Sequence, residues 1–338
     1  MKQFIFPSVI ERHNSELRSV APDMLHGLKI FENGSGYIIG QLAMSEGNMP
    51  QRAINSSPMD LDYKLLLKAG LLLGGTAADG PIAVTCGFPY ATFQVNRRYV
   101  ENLVGDEQRI VVDKMPYGGG DKQAKTVQIT KVDVIPEIVG CITAARKGRT
   151  GKKGSFFIAS LGYGTFEACL STEDGIVQRT MISTSGIRNA VDDVTRNLMK
   201  EHYLGLRTEH QMDMALRRGS IVLNRRRIDL AGPRKQALSG YYQDVISPML
   251  RNAWTDEDFE RASTLILTGG GAHYDDLVQS FREEFDGILN IEIAENPETL
   301  ASEGYCYHSV RLSNEYGGTA IGLDIGNSQT ILSVIEKL

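Results

Sequence analysis

Four short stretches of the chain carry residues suited to phosphate chemistry. The first is Ile321-Gly-Leu-Asp324-Ile-Gly326-Asn327-Ser328-Gln-Thr330. An apolar strand delivers a carboxylate at its end, Gly326 permits a tight turn, and Asn327, Ser328 and Thr330 add small donors. Such a strand-turn-strand presents successive amides to an anion and one acid to a hydrated divalent cation; a plain hairpin with a polar turn reads the same way. The second, Phe156-Phe-Ile-Ala-Ser160-Leu-Gly162-Tyr163-Gly164-Thr165, repeats the pattern with Ser160 where the first has Asp324. As a dinucleotide fingerprint it fails, because neither a third glycine nor a helix start follows. The third, Leu265-Ile-Leu267-Thr268-Gly269-Gly270-Gly271-Ala272, sets three glycines between a buried strand and a helix, where backbone can lie flat against a planar or phosphorylated group. The fourth is Pro136-Glu137, at the start of a helix. Glu137 either favours the helix dipole there or, aimed at a phosphate, orients or deprotonates a water.

The surrounding pattern alternates strands and helices, as a mixed α/β protein of two lobes requires. Strand-like runs cover Lys2 to Phe6, Pro81 to Cys86, Gln108 to Val112 and Thr126 to Val134, and His26 to Gly40 reads as a hairpin. Helical spacing covers Leu61 to Leu73, Phe93 to Val104 and Pro136 to about Lys147. Gly148 to Gly154 is the best boundary. Beyond it strands are expected at 155–160, 165–171, 176–182, 264–267 and 289–294. Helices are expected at 187–201, 209–217, from Pro233 to near Trp254, from His273 and from Pro297. The chain closes on Thr330 to Ile335, another core-like strand. Two bare ends that both read as core strands are expected to be neighbours in one sheet.

The 338 residues carry a formal net charge of -5, with 42% hydrophobic and 23% charged side chains. That balance disfavours a surface that coats nucleic acid or anionic membrane. No apolar run reaches the roughly 20 residues that a bilayer crossing needs, and the opening residues show no export signal, so a cytoplasmic location without membrane contact is expected. Cys86, Cys141, Cys169 and Cys306 lie far apart in apolar stretches, as buried free thiols do. The basic segment Arg217-Arg218, Arg225-Arg226-Arg227 and Arg234-Lys235 is a solvated face, a filament contact or the seat of an acidic partner; direct reading of DNA is the least supported option.

Together the four stretches resemble the signature of the actin, sugar-kinase and heat-shock ATPase superfamily: two phosphate hairpins, two connecting helices and an adenosine Gly-Gly-Gly motif. The second connecting helix, Asn296-Pro-Glu-Thr-Leu-Ala301-Ser-Glu-Gly304-Tyr305, resembles that of plasmid-segregating bacterial actins. Phe6-Pro7-Ser8, Val84-Thr-Cys-Gly87-Phe-Pro89 and Pro136-Glu137 strengthen the similarity to the ParM group and its archaeal actin relatives. The resemblance spans nearly the whole chain. It implies an actin/heat-shock ATPase-like α/β fold with ribonuclease H-like sheets, with residues 1–152 plus 303–338 as lobe I and 153–302 as lobe II. Its order is rotated, since hairpin one here follows the second connecting helix. Joining Leu338 to Met1 would restore the family's order, which reads as a circular permutation.

Carried over residue by residue, the resemblance implies an ATPase that uses ATP or ADP with Mg2+. Asp324 would hold the magnesium through water and Glu137 would position the hydrolytic water. Asn327, Ser328, Gly162 and Gly164 would contact the phosphates, Gly269, Gly270 and Gly271 would line the adenosine, and Gly326, Thr330, Ser160, Tyr163 and Thr165 would belong to the same nucleotide site. Implied partners are further copies of the chain in a filament and a DNA-binding adaptor protein, in plasmid segregation. Ser160 stands where the family usually has aspartate, which puts the hydrolysis rate in question. Ile331 stands where actin and ParM often carry lysine. A non-polymerising nucleotide-binding scaffold and a small-molecule kinase of the same superfamily are the alternatives.

Overall fold

The computed structural model describes residues 1–52, 57–149, 151–205 and 207–335. Contacts divide the chain into two units, Met1–Ala144 with Ala301–Leu338, and Ala145–Leu300. The first division falls inside a helix, ahead of the glycine-rich stretch 148–154, of which Thr150 lies outside the described residues.

The first unit begins with β1 (Lys2–Pro7), β2 (Val9–Arg12), the hairpin of β3 (Lys29–Glu32) and β4 (Ser35–Ile39), α1 (Gln41–Glu46) and β5 (Gln51–Arg52). It continues through α2 (Leu61–Ala78), β6 (Ile82–Phe88), α3 (Phe93–Val104), β7 (Glu107–Val112), β8 (Gln123–Pro136) and α4 (Glu137–Lys147). The second unit holds β9 (Phe156–Leu161), β10 (Thr165–Thr172), β11 (Gly175–Ile176), β12 (Ile182–Ser185), α5 (Arg188–Glu201), α6 (Glu209–Arg218), β13 (Ser220–Leu223) and β14 (Arg226–Asp229). After these come α7 (Ala231–Tyr241), α8 (Ser247–Ala253), α9 (Asp256–Arg261), β15 (Thr264–Thr268), α10 (Asp275–Glu284) and β16 (Asn290–Ile293). The chain then returns to the first unit through α11 (Leu300–Tyr316), β17 (Thr319–Ile325) and β18 (Gln329–Val334).

The first unit's sheet runs β1-β18-β17-β6-β8-β7-β3-β4-β2-β5. Its middle is a short parallel run, β17 to β6 to β8, and such strands read as continuous apolar stretches because both faces are covered. Helix α2 covers one face; its leucines enter one core with Ile321, Leu323, Leu332 and Val84. The two bare ends are neighbours, with Lys2 opposite Val334 and Pro7 opposite Gln329 in antiparallel register. Residues 336–338, needed for the expected join to Met1, lie outside the described residues.

On the opposite face of the same unit α11 crosses α4. A Cβ at Gly304 would stand 1.8 Å from the carbonyl oxygen of Gly140, so only glycine permits this approach. Tyr305 is fully buried against Gly87 and Gly140. Hydroxyl pairs Thr85–Ser309 at 2.7 Å and Ser302–Ser333 at 2.9 Å fix the helix on its strands.

The second unit's sheet runs β11-β10-β9-β15-β16, with β12 also on β10. Residues 157, 159, 161, 166, 168 and 170 enter one core with α5, α7 and α10. Two expectations are corrected here. The strand expected at 176–182 is interrupted by a 3-10 turn, Gln178–Thr180, so β11 and β12 pair with β10 separately. The turn is fixed by Thr180, whose hydroxyl accepts from the Leu170 amide, and by Arg179, which grips Asp258 through both its terminal nitrogens. The helix expected from Pro233 to Trp254 passes through a π-helical turn, Tyr242–Ile246, before α8, where Pro248 has no amide to continue the α ladder. The four cysteines are buried free thiols. No helix among the described residues is long and apolar enough to cross a membrane.

Candidate functional site

Hairpin one is β17 and β18. Its register pairs Asp324 with Ile331 and Ile325 with Thr330, leaving Gly326-Asn327-Ser328 as the turn, closed by the Gly326 amide on the Gln329 carbonyl at 3.0 Å. The neighbouring β1 strengthens it. The Ser8 amide donates to the Ser328 carbonyl at 3.0 Å, and the Ser8 and Thr330 hydroxyls meet at 2.9 Å. Thr330, expected at the phosphates, is therefore fully buried and its hydroxyl is engaged by Ser8, whereas Gly326, Asn327 and Ser328 keep partial exposure.

Asp324 sits at the mouth of this turn, partly exposed. Burial and then the neighbouring Glu137 push its carboxyl well above the ordinary value. The same apolar surroundings press on other groups: burial, with Asp324 adding to it, pushes the Cys86 thiol up to about 12. Tyr63 is raised by burial, Cys86 and Asp324. Glu137 opens α4 directly after Pro136, which ends β8, and this junction makes it a neighbour of Asp324. Two carboxylates this close repel each other, and that is a donor set for a hard cation.

Among the described residues no three His, Cys, Asp or Glu side chains gather as a direct metal cage. Magnesium does not need one, because it keeps several waters and uses one or two carboxylates together with phosphate oxygens. The Asp324–Glu137 pair fits that mode.

Hairpin two is β9 and β10 in the second unit. Ser160 is buried, pairs with Glu167 across the hairpin, and lies beside Thr268 of β15 in parallel register. The carbonyls of Gly162, Tyr163 and Gly164 accept from the amides of Ile187, Arg188 and Gly186 at 3.1, 2.9 and 3.0 Å. Tyr163 is buried and donates its hydroxyl to Glu209 at 2.8 Å, and Glu209 also meets Arg188 at 3.0 Å. Its side chain therefore belongs to a protein network. Gly162, Gly164 and Thr165 are partly exposed at the turn.

The three glycines after β15 have different positions. Gly269 has φ +81° and its amide donates to the Pro297 carbonyl at 2.7 Å. A Cβ at Gly271 would meet Ile187 at 2.3 Å, so this glycine is demanded by packing. Gly270 faces Arg217, which would stand 3.5 Å from a Cβ there. Arg217 is held at 3.3 Å by the buried Asp213 one helical turn earlier on α6. Burial, with Asp213 second, pushes the nearby Tyr274 hydroxyl up to about 12. His273 closes this edge against Glu298 at 2.5 Å. The Asp213, Arg217 and Tyr274 group was not anticipated from sequence; the four-residue spacing of Asp213 and Arg217 was its one visible signal.

Residues 1–140 match the family model described as the actin-like proteins' N-terminal domain. No curated protein matches the chain. Among solved structures, the archaeal actin homologue Ta0583 aligns at 17% identity and TM-score 0.70 over 90% of this chain and 92% of its own. A 15-stranded ParM filament from Clostridium botulinum aligns at 15% identity and TM-score 0.70, with coverage of 90% and 92%. Ta0583 in complex with ADP aligns at 17% identity and TM-score 0.67, with the same coverage. The chain has an actin-like α/β fold, and its residues 1–140 match the N-terminal domain of the actin-like protein family.

Proposed function

We propose that the chain is a nucleotide-dependent ATPase that assembles with further copies of itself into filaments. The observation that carries this reading is the Asp324–Glu137 pair beside the Gly326-Asn327-Ser328 turn. A hydrated magnesium ion, when bound, neutralises the phosphate charge. Asp324 would hold its waters, and Glu137 would orient a water and accept its proton as that water takes the terminal phosphoryl group and ADP leaves. On hairpin two the carbonyls are occupied by residues 186–188, an arrangement that suits the turn's amides to phosphate oxygens. Gly270, with Arg217 facing it, suits the base and ribose.

Among proteins of similar fold, one structure is a ParM filament, one an Alp12 filament and one an ADP complex. They support self-assembly and nucleotide binding as the function here. The net charge of -5 accords with DNA being met through an adaptor protein, as in plasmid segregation in the cytoplasm. The uncharged Ser160 favours a second reading, a nucleotide-bound scaffold that does not polymerise. Light scattering and pelleting with ATP, with ADP and without nucleotide, all in magnesium, separate the two. The first reading predicts assembly that depends on nucleotide; nucleotide binding with no assembly under any condition supports the scaffold.

A further inference from the structure

Residues 207–235 hold eight basic and three acidic side chains, in a chain whose net charge is -5. Much of that surplus gathers on β13 and β14, which form a two-stranded sheet of their own in the second unit. Asn224 and Arg225, with φ +47° and +63°, make the tight turn between them. Across this ribbon Ile221 lies opposite Ile228, Val222 opposite Arg227 and Leu223 opposite Arg226.

Residues opposite one another in an antiparallel ladder project from the same face. Ile221 and Leu223 are buried in the second unit's core and Ile228 packs against it, so one face holds the ribbon down. The other face carries Arg227 and Val222, which is 50% exposed. Arg225 stands at the turn, and Arg226 is exposed although it shares the face of Leu223. Three consecutive guanidinium groups therefore leave the ribbon in different directions, from its tip and from both faces. Arg207 joins them by donating to the Val222 carbonyl at 2.6 Å. Among the described residues none of these four arginines is held in an ion pair; Arg227 donates only to the Ser220 hydroxyl, at 3.3 Å. Asp229, the acid of the ribbon itself, accepts the Ala231 amide at 3.1 Å.

We propose that the β13–β14 ribbon is a docking surface for a flexible acidic segment of a partner protein. A guanidinium fork matches a carboxylate with two parallel hydrogen bonds. A flexible segment can follow cations that point to the tip and both faces of a ribbon whose strands lie about 5 Å apart, whereas a rigid DNA duplex meets one side. Val222 suits an aliphatic side chain, which a phosphate backbone does not offer. The chain outside this segment is net acidic and repels a long polyanion. Docking here needs no nucleotide.

The test is fluorescence anisotropy of a labelled glutamate–leucine peptide titrated with the full chain, beside a glutamine–leucine peptide and a random-sequence DNA duplex. Wild type is expected to bind the acidic peptide tightest, and more weakly as salt rises. The variant Arg225→Asn/Arg226→Gln/Arg227→Gln is expected to lose roughly three- to hundredfold in affinity, as three exposed charge pairs together would give. If it does not fold, the same loss in direction by Arg226→Gln/Arg227→Gln decides in its place. Unchanged affinity in the folded variant overturns the proposal, as does a wild type that holds the DNA duplex or the glutamine peptide as tightly as the acidic one. A wild type that binds no peptide also overturns it, and loss of ATP-dependent scattering by the variant would then make the ribbon a contact between copies of the chain.

Discussion

Asp324 is the residue on which the proposed chemistry turns, and its environment is unfavourable to its own charge. Burial and Glu137 raise its carboxyl above the ordinary 3.8, so the folded chain holds this proton more tightly than the unfolded chain. Stability fully present below the ordinary aspartate range is therefore lost as pH rises through the raised folded value. Asp324→Asn removes the charge and is expected to melt above the wild type at neutral pH without nucleotide. The gap should close as pH falls into the acid range, while the variant loses magnesium-dependent nucleotide binding. Thermal melts across pH check this, and a gap that does not change with pH contradicts it. Asp324 was legible in sequence because an acid before a Gly-Asn-Ser turn is a local pattern. The approach of Arg217 to Gly270 was not, because only the fold brings α6 to the turn after β15.

At the scale of elements, the strands and helices with strong period were legible close to their ends. Phe93–Val104 is one such helix. The misses have physical reasons. The run 176–182 looked like one strand because its residues have the right propensities, but the Thr180 and Arg179 side-chain bonds hold a turn in its middle. Capping explains α9, a short helix begun by Thr255 and Asp258, which exchange bonds as a capping box. Gly304 and Tyr305 were legible as part of the family pattern of the second connecting helix, and the structure adds their packing against α4. Adding a methyl at Gly304 must drive the two helices apart, because the new carbon would lie 1.8 Å from the Gly140 oxygen. Gly304→Ala is expected to cost about 1–3 kcal/mol, the usual range for overpacking a tight core. Urea unfolding measures it, and an unchanged midpoint would show that the crossing is looser than described.

At the scale of the whole molecule, the order of elements is unusual for the resemblance that the sequence carries. Hairpin one follows α11 in the chain, yet β18 lies between β17 and β1. We read this as a circular permutation of the actin-like order. It predicts that a rearranged chain, beginning at Gly317, running through Leu338 into Met1 and ending at Tyr316, folds and binds ADP as the present one does. Lys2 and Val334 already face each other, so little chain is needed to join them. Failure of that chain to fold would count against the reading. The shared fold and both hairpins could be read from local motifs, whereas assembly is a property of surfaces that no local motif records.

The decisive measurement is light scattering of the purified chain with ATP, ADP or no nucleotide in magnesium, with phosphate release followed in the same sample. For a filament-forming ATPase, scattering is expected to rise with ATP, and Glu137→Ala is expected to slow phosphate release while nucleotide still binds. Nucleotide binding without a rise in scattering under any of these conditions would contradict it.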